Sequence, residues 1–222
     1  GSALYYLSQN KEFNMNNKKL SICFHGHEEK FIIDNHKANL KNLIVEKNSN
    51  PEKFIAEKIY NQKVVAIYNS GAEFGPRSLG ARSILANPTN HKIKEILNKK
   101  IKLREPFRPF APVCLKEKVH DYFNIKNDSN FMLFICEANE NNKHLIPGVV
   151  HEDNTARVQS VSKDNIYLYN ILNEFYKLSK VPVLINTSFN IGGEAIVNTI
   201  NDAINSFKKM DIDFLIIDNY VI

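Results

Sequence analysis

The apolar positions along this chain change period several times, and each change predicts an element. Asn50-Pro51-Glu52 places a capping side chain, a proline at the first helical position and an early acid ahead of Phe54, Ile55 and Ile59, which predicts a helix over about 51–61. Lys63 to Tyr68 (KVVAIY) is a short β-branched run ending in Asn-Ser-Gly, the pattern of a buried strand running into a loop. Asn90 to Lys100 puts Ile93, Ile96 and Leu97 on one helical face, and Phe131 to Ala138 (FMLFICEA) reads as a strand. Ile166 to Leu178 is an amphipathic helix, followed by a strand over Val181 to Ile185. A helix over Asn201 to Met210, capped from the Thr199 region, and a last strand over Asp213 to Ile217 complete the series. Nearer the start, Leu20 to Phe24 and Lys30 to Asp34 flank a His-Gly-His turn and read as a short hairpin.

Strands alternating with helices over most of the length predict an α/β (α+β) fold, a mixed sheet with helices packed on it. Residues 4–19 are polar, Asn-rich and without period, so residues 1–19 are expected to be an irregular arm and 20–222 the folded domain. With 222 residues and 43% of them apolar, the chain can bury one substantial core. The opening Gly1-Ser2-Ala3 reads as a cloning remnant, and the chain as a domain excised from a longer parent. No apolar run reaches the length of a membrane span and no signal pattern is visible, so a membrane role is not expected and the cytoplasm is the expected compartment. Three cysteines, none in a C-x-x-C pair, are read as reduced core residues rather than as a disulfide framework or a metal site.

A net charge of +5 favours anionic ligands only weakly. Placement carries more information: of the five arginines, four lie between Arg77 and Arg108, and Arg157 stands alone. Glu73-Phe74-Gly75-Pro76-Arg77-Ser78-Leu79-Gly80-Ala81-Arg82 follows a predicted strand and can bring guanidinium forks and backbone N–H groups to phosphate oxygens, although it lacks the Lys-Ser/Thr ending of a P-loop. A surface turn with both arginines tied to carboxylates is the plainer alternative.

Lys102 to Pro112 (KLREPFRPFAP) contains three prolines and cannot be helical; on an extended backbone Lys102, Arg104 and Arg108 would share one side and converge on an anion. The alternative is a structural Arg–Glu pair with Glu105. His151 to Gln159 alternates polar residues, so an extended run would present His151, Asp153, Thr155, Arg157 and Gln159 together. His151 and Asp153 could be metal ligands at this spacing, but without a clear third ligand no metal site is expected, and the row is read as hydrogen-bonding to substrate oxygens or as an interior polar network. Asn186 to Glu194 (NTSFNIGGE) directly follows a strand, and its small amide and hydroxyl groups Asn186, Ser188 and Asn190 suit a nucleotide ribose or phosphate. No serine lies in a G-x-S-x-G elbow and no cysteine has a neighbouring base, so covalent catalysis has no support, and no RNA-binding signature appears.

EFGPRSLGARSIL, NKKIKLREPFRPFAP, HEDNTARVQSV and NTSFNIGGEAIV, in this order, resemble the carboxy-terminal domain of the nodulation-type and antibiotic-biosynthetic ATP-dependent O-carbamoyltransferases, over roughly residues 55–222. The resemblance implies a YrdC-like twisted mixed β-sheet with packed helices that makes carbamoyl adenylate from carbamoyl phosphate and ATP. It implies Mg²⁺ carried by the ATP, and a separate amino-terminal domain that passes the carbamoyl group to a hydroxyl. Carried over by motif, it puts Arg77, Arg82, Lys102, Arg108 and Arg157 around the phosphates, with Lys102, Arg108 and Arg157 as the catalytic cations. Asn186, Ser188 and Asn190 fall at the nucleotide. Lys102-x-Arg104 and Ser188-x-Asn190 also resemble the K-x-R and S-x-N signature of the threonylcarbamoyl-adenylate synthases. Asn154 stands where the family usually has Gly, and Ala195 where it usually has Pro. The alternative class is a non-catalytic nucleotide- or RNA-binding module of the same fold.

Overall fold

The computed structural model describes residues 23–222, together with Tyr6 and Gln9. The arm expected over residues 1–19 and the first half of the hairpin strand therefore lie almost wholly outside the described residues.

Among the described residues eleven strands and five α-helices follow in order: β1 (Glu46–Lys47), α1 (Pro51–Tyr60), β2 (Val65–Tyr68), β3 (Arg82–Ala86), α2 (Ile93–Ile96), β4 (Ala111–Leu115), α3 (Val119–Tyr122), β5 (Phe123–Asn124), β6 (Cys136–Ala138), β7 (Thr155–Ala156), β8 (Gln159–Val161), α4 (Ile166–Ser179), β9 (Val183–Ser188), α5 (Ile200–Lys209), β10 (Phe214–Ile217) and β11 (Tyr220–Val221). Eight strands form a mixed sheet in the order β1-β11-β10-β2-β3-β9-β4-β8, and β5-β6-β7 form a small second sheet. α1 and α4 pack on each other, with α4 against β4 and β9, while α5 covers β10 and β2. The core between these layers is aliphatic: Ile55, Ile67, Leu85, Leu172, Leu184 and Ile204 are all fully buried.

The helices form where caps and apolar period agree. Asn50 Oδ1 accepts from Lys53 N at the start of α1. Thr199 and Asp202 form a reciprocal capping box on α5, which satisfies donors that the first turn leaves open. α4 ends at Lys180 in the left-handed region.

Three expectations are corrected. The hairpin around His25-Gly26-His27 is absent among the described residues; instead residues 23–27 run beside 72–74, with Gly26 N to Ala72 O and Ala72 N to His27 O both at 2.9 Å. Only Cys136–Ala138 of the Phe131–Ala138 run is a strand. Met132 takes φ 54, which an extended strand cannot contain, and it leaves Leu133 and Ile135 exposed. The helix over 90–100 is shorter at its start, α2, and then widens into a π-helical turn over Leu97–Lys102 that ends with Leu103 at φ 48.

The sheet topology is what builds the site. β9 runs antiparallel to both β3 and β4, so its carboxyl end lies beside their amino ends: Ser83 is paired with Ser188, and Ala111 with Asn186. β8 runs parallel to β4, with Val113 opposite Gln159, which brings the segment before β8 to the same edge. All four motif segments meet at one end of the sheet although they are spread over more than a hundred residues.

Candidate functional site

A cleft of about 130 Å³ opens at that edge, lined among others by Arg77, Arg104, Arg157, Asn186 and Ser188. One cation comes from each of three separated segments, and among the described residues no carboxylate lines the cleft. Burial and the charge of Arg77 lower the Arg157 pKa, and Arg157 Nε is buried without a hydrogen-bond partner. Burial, and then Arg108, lower that of Arg104. Cations that repel one another across a partly dry cleft are stabilised by an anion between them.

Arg77 rides on a loop organised by a residue that sequence reasoning left out. Glu73 Oε1 accepts from the backbone N–H groups of Leu79 (2.7 Å), Ala81 (2.8 Å) and Arg82 (3.1 Å), which gathers the loop around one carboxylate. A carboxylate two residues after Gly71, in the loop that follows β2, carried no distinctive signal in the sequence.

Arg82 does not join the cleft cations. It is 0% exposed. Its Nη1 donates to Asn69 O and Ser70 O (3.0 Å each), its Nη2 donates to His27 O (3.0 Å), and its guanidinium lies 3.5 Å over the Tyr68 ring. Register explains the difference from Arg77: Arg82 opens β3 opposite Tyr68, so its side chain is committed to the sheet. It ties residues 23–27 to the loop rather than meeting solvent.

Lys102 does not sit on extended backbone with Arg104 and Arg108, as alternation would have it. It closes the π-helical turn, 3% exposed, behind Ser188. Its Nζ donates to Ser188 O, to Asn190 O (3.0 Å) and to Asn190 Oδ1 (2.9 Å). Burial, and then the Arg104 charge, push its pKa down to about 7, while this ring of oxygens acts in the opposite sense. Gly192 is required here: its N–H donates to Lys102 O at 3.0 Å, and a Cβ would come within 2.3 Å of that oxygen.

The loop after Lys102 is shaped by Asn98, fully buried and likewise not singled out by sequence. Asn98 Oδ1 accepts from Arg104 Nε (2.7 Å), and its Nδ2 donates to Pro106 O and Arg108 O. Arg104 then stacks 4.8 Å from the Phe110 ring. Arg108 points away into a half-exposed pair with Glu105, Nε to Oε2 3.0 Å, the structural alternative weighed for this segment.

His151, Asp153 and Thr155 do not line the cleft. They form a local turn in which Thr155 Oγ1 donates to Asp153 Oδ1 (2.7 Å) and lies 3.1 Å from His151 Nδ1. Burial, first of all, lowers the His151 pKa. At the corner of this turn Asn154 takes φ 62, a conformation that Asn tolerates and glycine adopts freely. Asn154→Gly is therefore expected to leave stability within about 0.5 kcal/mol, whereas Asn154→Ala should cost about 1 kcal/mol in urea unfolding. Equal stabilities of the two variants would contradict this account of the turn.

Among the described residues no group of three or more metal-ligating side chains comes together, and no helix is long and apolar enough to cross a membrane. Cys114 and Cys136 are buried free thiols, and Cys23 is half-buried and free.

Residues 56–222 match the family model described as Carbamoyltransferase C-terminus. The chain is 40% identical over 213 residues to an uncharacterized protein of Methanocaldococcus jannaschii, covering 94% of this chain and 41% of that protein. It is 37% identical over 171 residues to Nodulation protein NolO of Bradyrhizobium diazoefficiens, covering 75% and 31%. The chain thus spans less than half the length of these relatives. Among solved structures it is similar to full-length HypF in a phosphate- and nucleotide-bound form (TM-score 0.56, 20% identity, 76% of this chain and 25% of that one) and to P. abyssi Sua5 complexed with L-threonine (0.51, 18%, 76% and 46%). These likenesses show the YrdC-like fold. With every cationic motif inside the matched span, the chain belongs to the carbamoyltransferase C-terminus family.

Proposed function

We propose that this chain forms carbamoyl adenylate from carbamoyl phosphate and ATP. The observation that carries the reading is the convergence of Arg77, Arg104 and Arg157 on one cleft free of carboxylates, with Ser188 and the buried Lys102 behind it. In the reaction, water cleaves carbamoyl phosphate to carbamate and phosphate. A carbamate oxygen then bonds to the α-phosphorus of ATP, and the bond to the β-bridging oxygen breaks as pyrophosphate leaves with the electron pair. Neither step requires a protein nucleophile. Both gather negative charge that preordered cations stabilise, with Arg157 and Lys102 in the central roles and Arg77 and Arg104 holding phosphate oxygens.

ATP and carbamoyl phosphate are thus the proposed substrates, in line with the solved phosphate- and nucleotide-bound form of full-length HypF, a quarter of which this chain matches. Residues lining the cleft offer no carboxylate, so the chain itself does not make a Mg²⁺ site there; the ion fits as one brought on the nucleotide's own phosphates. Transfer of the carbamoyl group to a hydroxyl is assigned to a preceding domain of the longer protein, since this chain spans 31% of the NolO length. Residues 20–222 are the proposed adenylating domain, and the cytoplasm its proposed place.

The test is carbamoyl-phosphate-dependent exchange of labelled pyrophosphate into ATP. Exchange is expected for the unmodified chain, and Arg157→Ala should lower it by about 10²-fold or more. ATP binding without exchange, in this chain and in the full-length protein alike, would instead indicate a non-catalytic nucleotide-binding module.

A further inference from the structure

Asn186 is 1% exposed, lines the arginine cleft, and carries a buried Oδ1 with no hydrogen-bond partner among the described residues. Unpaired buried acceptors are uncommon and costly, so each calls for a donor from elsewhere.

The orientation of this amide is dictated by its neighbours. Gln159 Nε2 donates to the carbonyl oxygen of Leu79 at 3.0 Å, which leaves Gln159 Oε1 as the atom facing Asn186. Asn186 Nδ2 donates to that Oε1 at 2.8 Å and to the carbonyl oxygen of Ser78 at 3.2 Å. Both partners are acceptors, so turning the Asn186 amide over would set oxygen against oxygen twice. The open position must therefore be the acceptor. Residues 186 and 188 share one face of β9, so the acceptor stands on the same side of the sheet as Ser188.

The charged lining of the cleft is all donors, Arg77, Arg104, and Arg157 with its own unpartnered Nε, set beside the hydroxyls of Ser78, Thr187 and Ser188 and otherwise apolar side chains. Phosphate oxygens and a carbonyl satisfy donors, but neither has a hydrogen for Asn186. A carbamoyl group does, on an amino nitrogen directly beside the acyl phosphate linkage, whereas the ribose hydroxyls of ATP, the other donors in the substrates and the place to which the resemblance assigned Asn186, stand farther from the phosphates that the arginines hold.

We infer that Asn186 is the specificity-determining residue for the carbamoyl group, accepting a hydrogen bond from the substrate amino group while the arginines hold its oxygens. The inference rests on the carbamoyl phosphate reading above and adds to it the means by which an acyl phosphate with a methyl group in place of the amino group is rejected. Acetyl phosphate has nearly the same shape and charge but no N–H, and would leave the acceptor unpaired.

Calorimetric titration of the chain with carbamoyl phosphate, acetyl phosphate and inorganic phosphate tests this. The unmodified chain should bind carbamoyl phosphate at least about tenfold more tightly than acetyl phosphate. In Asn186→Ala and Asn186→Ser, with folding checked by thermal unfolding, that ratio should fall toward one. Equal affinities for the two acyl phosphates in the unmodified chain would overturn the inference without any variant, as would a ratio that survives in a folded Asn186 variant. If none of the three phosphates binds, the anion-cleft reading itself fails, and this inference with it.

Discussion

Lys102→Met is expected to lower carbamoyl-phosphate-dependent pyrophosphate exchange by about 10²–10³-fold, the size of effect seen when a preordered donor to developing charge is removed. Methionine keeps the length and the apolar stem while deleting the ammonium that joins Ser188 to Asn190. A second measurement isolates the charge itself. The free site has a Lys102 pKa lowered to about 7, chiefly by burial, and a bound anion must raise it. Ligand binding near pH 8 should therefore take up protons, approaching about one per ligand in buffers of different ionisation enthalpy, and Lys102→Met should abolish the uptake. The sign for stability follows from the same shift. Between about 7 and the ordinary lysine value of 10.5 the unfolded chain holds the proton that the folded site has lost, so this group makes stability rise with pH across that window and level off outside it. Exchange unchanged in Lys102→Met would remove Lys102 from the chemistry.

Arg82→Ala should act in another way, by unfolding. The side chain is wholly buried, donates to four separate backbone carbonyls and stacks on Tyr68. Deleting it takes a donor from each of those carbonyls and opens a cavity, an expected loss of about 3–5 kcal/mol in chemical denaturation. Arg157→Ala, at the cleft, should cost far less stability while losing more exchange. The two arginines are thus separable by comparing denaturation with turnover. A fully stable Arg82→Ala chain that no longer binds phosphates would restore Arg82 to the substrate site.

That contrast also shows how far residue type and spacing carry. Arg77 and Arg82 look alike in EFGPRSLGAR, yet one faces the cleft and the other is a brace. β3 was not foreseen as a strand, because its first residue belongs to a motif that reads as loop. Once Arg82 is paired with Tyr68, its side chain has no route to the ligand. The same holds for the cation-rich segment. Three prolines correctly exclude a helix over 105–112, but Lys102 lies just before them in a π-helical turn, so extended alternation does not apply to it. Glu73, Asn98 and Gln159 do their work through backbone carbonyls and amides that no side-chain motif announces.

Caps, apolar period and β-branched runs determined by themselves that helices stand at about 51–61, 166–178 and 201–210 and that buried strands adjoin them, because these signals are local, and the described helices at 51–60, 166–179 and 200–209 agree with them to within a residue or so. The four ordered motifs likewise carried the family. Which cations meet was decided only by the tertiary structure. The antiparallel placement of β9 between β3 and β4, with β8 parallel to β4, brings four distant loops to one edge. Strand register turns Arg82 away from it, the loops held by Glu73 and Asn98 bring Arg77 and Arg104 into it, and Arg108 pairs with Glu105 instead. Strand order and register are long-range properties set by packing of the whole core, so local pattern does not contain them.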